Sequence, residues 1–323
     1  MKSIYFCTNI DKIQAIYREF ILDNSTIYTA DSLGTTDFSE VEIIFSTWNM
    51  PILTKEQILQ YFPSLKAVFY AAGTIKYFAQ PYLELGIKVY NADQVNAIPV
   101  AEFAASEIVL ANKGYYQAQN YYRFMRYGKS RKVAEAHVGN YKSKVGIIGA
   151  GKIGQMVIHL LKVYDCDIFV NDAVMTKEKA DALGVTLTTL EEIFKECDVI
   201  SNHLPDIPST QNILNYDLFR TMKPFATFIN TARGRQVDDK GLRKALKENS
   251  GRCAVLDVLR HEPILPFNPL FGMPNVFITP HIAGSLNQEE CRMAKAMKDA
   301  CDAFQNGKES LYEVKNYDLS KNA

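Results

Sequence analysis

Neither sign of charge prevails in this chain of 323 residues, where 36 lysines and arginines balance 36 aspartates and glutamates for a formal net charge of zero. No long-range field therefore gathers polyanions, and neither nucleic acid nor anionic membrane is an expected partner. Long hydrophobic runs are also missing, and no stretch approaches a membrane span. Met1 to Cys7 is a short strand-like run followed by Thr8 and Asn9, without the apolar segment and cleavage site of a secretory signal. The six cysteines (Cys7, Cys166, Cys197, Cys253, Cys291, Cys301) form no CxxC pair. Buried reduced thiols are the default for such a set, and a cytoplasmic protein is expected. No histidines and carboxylates stand at ligand spacing, so no metal is expected. One local departure from even charge is the cluster Arg123, Arg126, Lys129, Arg131 and Lys132, which suits a solvated helix end or a subunit contact better than a phosphate site.

What is present is ordinary globular composition, 47% hydrophobic and 22% charged, at a length sufficient for two domains. In the first hundred residues, short apolar runs at 4–7, 26–28, 41–45, 67–70 and 88–90 alternate with amphipathic stretches at 12–22, 54–61 and 78–85. That alternation predicts a small parallel α/β unit. A longer helix is predicted to start near Pro99 and run toward Tyr122, crossing between domains. A second series of strands is expected at 145–148, 168–172, 199–202, 227–230, 254–258 and 276–279, giving a doubly wound sheet. The amphipathic helix at 288–304 needs an apolar partner and is expected to return to the first domain. The expected division is therefore 1–103 with 286–323 as a discontinuous substrate domain and 104–285 as a nucleotide domain.

The strongest local signal is the run from Lys144 to Gly154, in which an apolar strand enters a GxGxxG turn. Gly149 permits the tight turn, Gly151 lets the backbone approach a pyrophosphate, and Gly154 lets the next helix pack close to the strand. The helix N-terminus then offers unpaired N–H groups and a partial positive charge to the phosphates. Asp172, closing the next apolar run, is placed to accept both ribose hydroxyls and to repel a 2′-phosphate, so NAD is favoured over NADP.

Ligands of open α/β sheets bind at the carboxyl ends of the strands, which narrows the search for chemistry. His203, His261 and His281 each follow a predicted strand, whereas His137 and His159 lie in polar or helical surroundings. His281 is chosen for proton transfer, since Ala283 and Gly284 leave room beside it for a flat ring. Glu262, past the strand at 254–258, could supply the carboxylate that favours a protonated imidazole. Arg233, flanked by Ala232 and Gly234, offers a planar fork suited to a substrate carboxylate. Asp257 stands inside an apolar strand, where a charge needs partners; the amide of a nicotinamide would be one.

Together these segments resemble the D-isomer-specific 2-hydroxyacid dehydrogenases. The resemblance rests on GIIGAGKIG from Gly146, Asp172, His203-Leu204-Pro205 with Thr210, the MKPFATFINTARGRQVDD run from Met222, Leu256-Asp257-Val258, His261-Glu262-Pro263 and Thr279-Pro280-His281-Ile282-Ala283-Gly284. It implies a Rossmann-type doubly wound domain beside a smaller flavodoxin-like α/β domain, with a cleft between them. It further implies that Arg233 binds the substrate carboxylate and carbonyl, that Glu262 holds His281 protonated, and that His281 gives the proton to the reduced carbonyl. Cofactor contacts are implied for Lys152, Ile153, His203, Leu204, Pro205, Thr210, Thr231, Ala232, Ala283, Gly284 and Val100, as is a homodimer through the nucleotide domain. Asn96 lies in the segment that resembles the one passing beneath the nicotinamide.

The first domain departs from the commonest pattern. A glycine-rich loop followed by an acid is replaced by Tyr70-Ala71-Ala72-Gly73-Thr74-Ile75-Lys76, where backbone N–H groups of Ala72, Gly73 and Thr74 could hold a carboxylate. Lys76 in place of the acid leaves the substrate's side chain open. The only tryptophan, Trp48, suits a cap over the substrate or a packing role equally. An NAD(H)-sensing regulator of the corepressor type, on the same fold and with the same three residues, is the alternative to an enzyme.

Overall fold

The computed structural model describes residues 1–20, 26–263 and 267–315. By contacts the chain divides into two compact units, one formed by Met1–Ala97 with Ser285–Ala323 and the other by Ile98–Gly284. No helix of the described residues is long and apolar enough to cross a membrane.

In the first unit, β1 (Lys2–Phe6), α1 (Ile10–Tyr17), β2 (Ile27–Tyr28), β3 (Val41–Ser46), α2 (Lys55–Tyr61), β4 (Ala67–Tyr70), α3 (Ala79–Glu84) and β5 (Lys88–Asn91) build a parallel sheet of order β2-β1-β3-β4-β5. The α1 helix opens on an Asn9 side chain that accepts the Lys12 N–H, and it ends at Tyr17, short of the expected Leu22, which lies outside the described residues. A reciprocal cap between Thr54 and Gln57 starts α2. Adjacent residues of the strands face opposite layers: Ile44 and Val68 enter one apolar core, Ile43, Phe45 and Phe69 the other.

Next in the chain comes α4 (Asp93–Asn112), which starts earlier than expected and encloses Pro99. It does not continue to Tyr122. The chain breaks at Gly114, whose φ of +64° and whose contact with the His137 ring, 2.4 Å from an added Cβ, exclude any side chain. Two further helices follow, α5 (Tyr115–Tyr122) and α6 (Tyr127–Glu135).

The second unit is a seven-stranded, fully parallel sheet of order β12-β11-β10-β9-β6-β7-β8. Its elements in chain order are β6 (Lys144–Ile148), α7 (Lys152–Leu161), β7 (Asp167–Asn171), α8 (Lys177–Leu183), β8 (Thr186–Leu187), α9 (Leu190–Glu196), β9 (Val199–Asn202), α10 (Tyr216–Phe219), β10 (Thr227–Asn230), α11 (Asp239–Glu248), β11 (Cys253–Leu256) and β12 (Val276–Ile278). Both faces are covered, as parallel sheets require. Val145, Ile147 and Val255 pack under α4 and α7, while Ile148, Ile200, Phe228 and Leu256 pack under α9 to α11. The strand order reverses between β6 and β9, which places the switch point beside the glycine turn.

The last helix, α12 (Gln288–Gln305), buries Met293, Ala294, Met297, Ala300 and Cys301 in the same apolar layer as Ile13, Tyr17, Phe45 and Phe69. Its amphipathic face thus completes the first unit.

Candidate active site

Three neighbouring strands of the second unit end in the three expected catalytic side chains: Arg233 follows β10, Glu262 follows β11 and His281 follows β12. Parallel pairing brings all three loops to the carboxyl end of the sheet. Contact joins them. A Cβ on Gly234 would lie 1.9 Å from the Leu259 carbonyl carbon, so the Arg233 turn is pressed directly against the backbone of the next loop. The Leu259 N–H donates to Glu262 Oε1 at 2.9 Å, and Glu262 Oε2 meets His281 Nδ1 at 2.6 Å. With Nδ1 engaged, Nε2 is the ring atom turned to other work, and the His281 side chain remains 49% exposed.

His281 adopts a φ of +56°, a left-handed conformation disfavoured for a residue with a side chain. Asp257 explains how it is held. Its carbonyl accepts the His281 N–H at 3.0 Å, and its carboxylate accepts from Thr279 Oγ1 at 2.6 Å, Ile282 N at 2.8 Å and Ala283 N at 3.0 Å. The strand ends at Leu256, so Asp257 lies past it rather than within it. Its 2% exposed charge is satisfied by the chain's own donors, and no outside amide is needed to offset its burial. Beside it, on α4, burial and the like charge of Asp257 push the Glu107 carboxyl up to about 7, and Glu107 Oε2 is buried without a hydrogen-bond partner among the described residues.

The glycine turn separates its three roles. Gly149 has a φ of +85°, and a Cβ there would lie 2.7 Å from the His203 carbonyl oxygen, across the switch point. Gly154 would meet Gly149 O at 2.1 Å, whereas a Cβ on Gly151 would meet nothing within 4 Å. Gly151 is also the N-cap of α7 and brings no side chain to cap it. Lys152 is exposed and Ile153 packs on the core. Asp172 holds this turn in place: one oxygen accepts the Ala150 N–H at 2.7 Å, the other those of Val174 and Met175, each at 2.9 Å. A carboxylate has about four lone-pair sites, which leaves room for fewer than the two ribose hydroxyls its sequence position suggested.

Around the switch point, His203 is buried against Ser201 Oγ at 2.9 Å, and burial alone lowers its pKa to about 4. It is a neutral packing group in this state. Thr210 Oγ1 donates to Pro205 O at 2.7 Å and accepts from Ile207 N at 3.2 Å, so it braces the loop of Leu204 and Pro205. The Thr231 hydroxyl is buried with no partner among the described residues, beside buried Ala232. Val100 lies buried in α4. An open Gly151, an uncapped helix end and an orphaned hydroxyl suit a bound dinucleotide. Sequence reasoning missed three buried amides, Asn202, Asn230 and Gln236, that lace these loops from below. A signal was there for two of them, since the neighbouring strands β9 and β10 each end in asparagine.

In the first unit, Ala72 and Gly73 lie near Asn96, whose Nδ2 would be 3.5 Å from a Cβ on Gly73. Asn96 Oδ1 accepts the Ser285 N–H at 3.0 Å, and Gly73 O accepts from Asn91 Nδ2 at 2.9 Å. The Ala72 N–H is taken by Tyr70 O at 2.8 Å and is not free for a carboxylate, which leaves Gly73 and Thr74 from that expected set. Trp48 packs against both apolar layers, with Lys12 Nζ 5.2 Å from its ring centre.

Residues 108–283, more than half of the chain, match the family model described as "D-isomer specific 2-hydroxyacid dehydrogenase, NAD binding domain". The chain belongs to that family of NAD-dependent oxidoreductases. A glyoxylate reductase of Korarchaeum cryptofilum is 31% identical over 256 residues, 78% of this chain and 76% of that protein. A D-3-phosphoglycerate dehydrogenase of Methanocaldococcus jannaschii is 34% identical over 208 residues, 64% of this chain but only 39% of its own length. Among solved structures, a D-2-hydroxyisocaproate dehydrogenase superposes with a TM-score of 0.78 at 24% identity, over 97% of this chain and 99% of that one. D-lactate dehydrogenase with NAD+ from Lactobacillus jensenii gives 0.76 at 20% identity, over 98% and 100%. These likenesses establish the fold of this chain.

Proposed function

We propose that the protein reduces a 2-oxo acid to a D-2-hydroxy acid, with His281 as the acid, Glu262 holding its ring and Arg233 binding the substrate carboxylate. The observation that carries this is the 2.6 Å pair of His281 Nδ1 and Glu262 Oε2 one loop away from the Arg233 turn. Bound NADH supplies the hydride. His281 Nε2 gives its proton to the carbonyl oxygen as negative charge develops there, and the Arg233 guanidinium stabilises the same charge. Glu262 fixes the ring's orientation, because its other oxygen is anchored on the Leu259 amide. The Gly151 backbone, the α7 N-terminus and Asp172 would hold the dinucleotide, with Thr231 and the Leu204 loop alongside. Glyoxylate, and the 2-oxo acid formed by oxidising 3-phosphoglycerate at its hydroxyl carbon, are the substrates to try first, after the names of the two relatives above.

A homodimer through the second unit is part of the proposal. Its support is the exposed hydrophobic surface of Tyr122, Phe124, Met125 and Tyr127 where α5 meets α6. A cytoplasmic location is supported by six unpaired thiols, all but Cys166 buried.

The test is a panel of 2-oxo acids followed by NADH absorbance, with NADPH in parallel. Turnover with NADH is expected, and His281→Ala should lower kcat by about 10² to 10⁴. Arg233→Lys should weaken substrate use, since a point charge lacks the bidentate fork. A His281→Ala enzyme of unchanged rate, or a protein that binds NADH but turns over none of the acids, would refute it.

A further inference from the structure

We propose that Asn202, Asn230 and Gln236 form one buried amide chain that positions the site, Asn230 acting on the Arg233 turn and Gln236 on the loop of Leu204 and Pro205. The inference rests on the reduction proposed above for the meaning of Arg233. The three side chains are 0%, 1% and 0% exposed, although each is polar. Burial of that kind needs every donor and acceptor occupied, and here the partners are not scattered through the core.

Asn202 is the hub. Its Nδ2 donates to Asn230 Oδ1 at 3.0 Å and to Gln236 Oε1 at 2.7 Å, while its Oδ1 accepts the Leu204 N–H at 3.2 Å. Asn230 then spans the turn that carries the arginine: its Oδ1 accepts the Ala232 N–H at 3.1 Å, and its Nδ2 donates to Arg233 O at 3.2 Å. Gln236 completes the other arm, with Nε2 donating to Leu204 O at 2.8 Å and to Pro205 O at 2.9 Å. Both free ends of the chain therefore fall on loops, one bearing the Arg233 guanidinium and the other bordering the glycine turn at the switch point. None of the three touches a ligand in this scheme. They are positioning residues, and a fully satisfied network of this sort fixes one arrangement of the groups above it.

The arms separate experimentally. Asn230→Asp keeps the acceptor for Ala232 and Asn202 and replaces only the donor facing Arg233 O. At pH 8 its KM for the best 2-oxo acid should rise about tenfold or more, as expected for a carboxylate facing a carbonyl where a hydrogen bond stood. NADH affinity, read by fluorescence, should stay within about twofold of the parent. As the pH falls and the new carboxyl takes a proton, its O–H donates to Arg233 O again, and the KM excess over the parent should shrink. Gln236→Glu keeps the acceptor for Asn202 and loses both donors to the Leu204 loop. It should weaken NADH about tenfold and leave the substrate KM at saturating NADH near the parent's.

Unchanged constants in both variants, a joint shift of both constants in each, or an Asn230→Asp excess that ignores pH would overturn the positioning role. Thermal melts establish folding of each variant; if Asn230→Asp fails to fold, an unchanged NADH affinity in Gln236→Glu alone overturns it. Failure of the parent to turn over any acid would sink the reduction itself and this inference with it. Parent turnover beside unaltered variants sinks only the inference.

Discussion

Gly151→Ala separates what the glycine turn does for the fold from what it does for the cofactor. A Cβ at this position meets no heavy atom within 4 Å, and the backbone there is extended at a φ of −69°, which any residue adopts. Two small effects on stability oppose each other. Alanine is a poorer N-cap than glycine, while its narrower unfolded ensemble returns about 0.4–1 kcal/mol. The melting temperature should therefore stay within about 3 °C of the parent's. The methyl group would instead occupy the open space beside the α7 N-terminus that is proposed for the pyrophosphate. Losing one charge-assisted hydrogen bond costs about 1.5–3 kcal/mol, or roughly 10- to 100-fold in affinity. Fluorescence titration with NADH, together with a thermal melt, measures both quantities on one sample. Unchanged NADH affinity would refute the placement of the pyrophosphate, and a large fall in melting temperature would show that the turn itself needs the glycine.

Two further perturbations test other parts of the site. Gly234→Ala forces a Cβ into the Leu259 and Arg260 backbone, at 1.9 and 2.2 Å where contact begins at 3.4 Å. The Arg233 turn must part from the Glu262 loop by more than about 1 Å, and a misplacement of about 1 Å already costs about 10²-fold in kcat/KM; near-parental turnover would contradict the contact. Glu107, raised to about 7 from the ordinary carboxyl value of 4.5 by burial and by the charge of Asp257, favours its neutral form in the folded state. Its contribution is intact below pH 4.5 and is lost as pH rises through 7, so Glu107→Gln should stabilise the protein by at most about 3 kcal/mol at pH 8 and by little at pH 5. Equal melting temperatures of variant and parent at both values would rule out the buried carboxyl.

Much of the second unit could be read directly from residue order. The strands at 199–202 and 227–230 match β9 and β10 to the residue, because apolar β-branched runs closed by asparagine have few alternatives. Past strand ends, a local property, lie the candidates Arg233 and His281, while Glu262 is singled out by the family resemblance rather than by its position. Partners were less legible. Nothing near Asp257 announces that Thr279, Ile282 and Ala283 will satisfy it, since that depends on β11 and β12 being neighbours. The same holds for Asp172 and Ala150, and for the three amides, whose mates lie on different strands. The long helix was misjudged at both ends because Pro99 looks like a start, whereas the decisive break, Gly114, is required by the ring of His137 far along the chain.

Helix α12 supplies Met293, Met297 and Cys301 to a layer whose other members, Ile13, Phe45 and Phe69, lie near the opposite end of the polypeptide. During synthesis those early residues emerge long before their covering arrives, while the intervening sheet of the second unit has all its strands in one continuous stretch. Domains generally fold as they leave the ribosome. The nucleotide-type sheet should then mature first, and the unit made from segments on either side of it should wait, its apolar layer bare, until α12 is released.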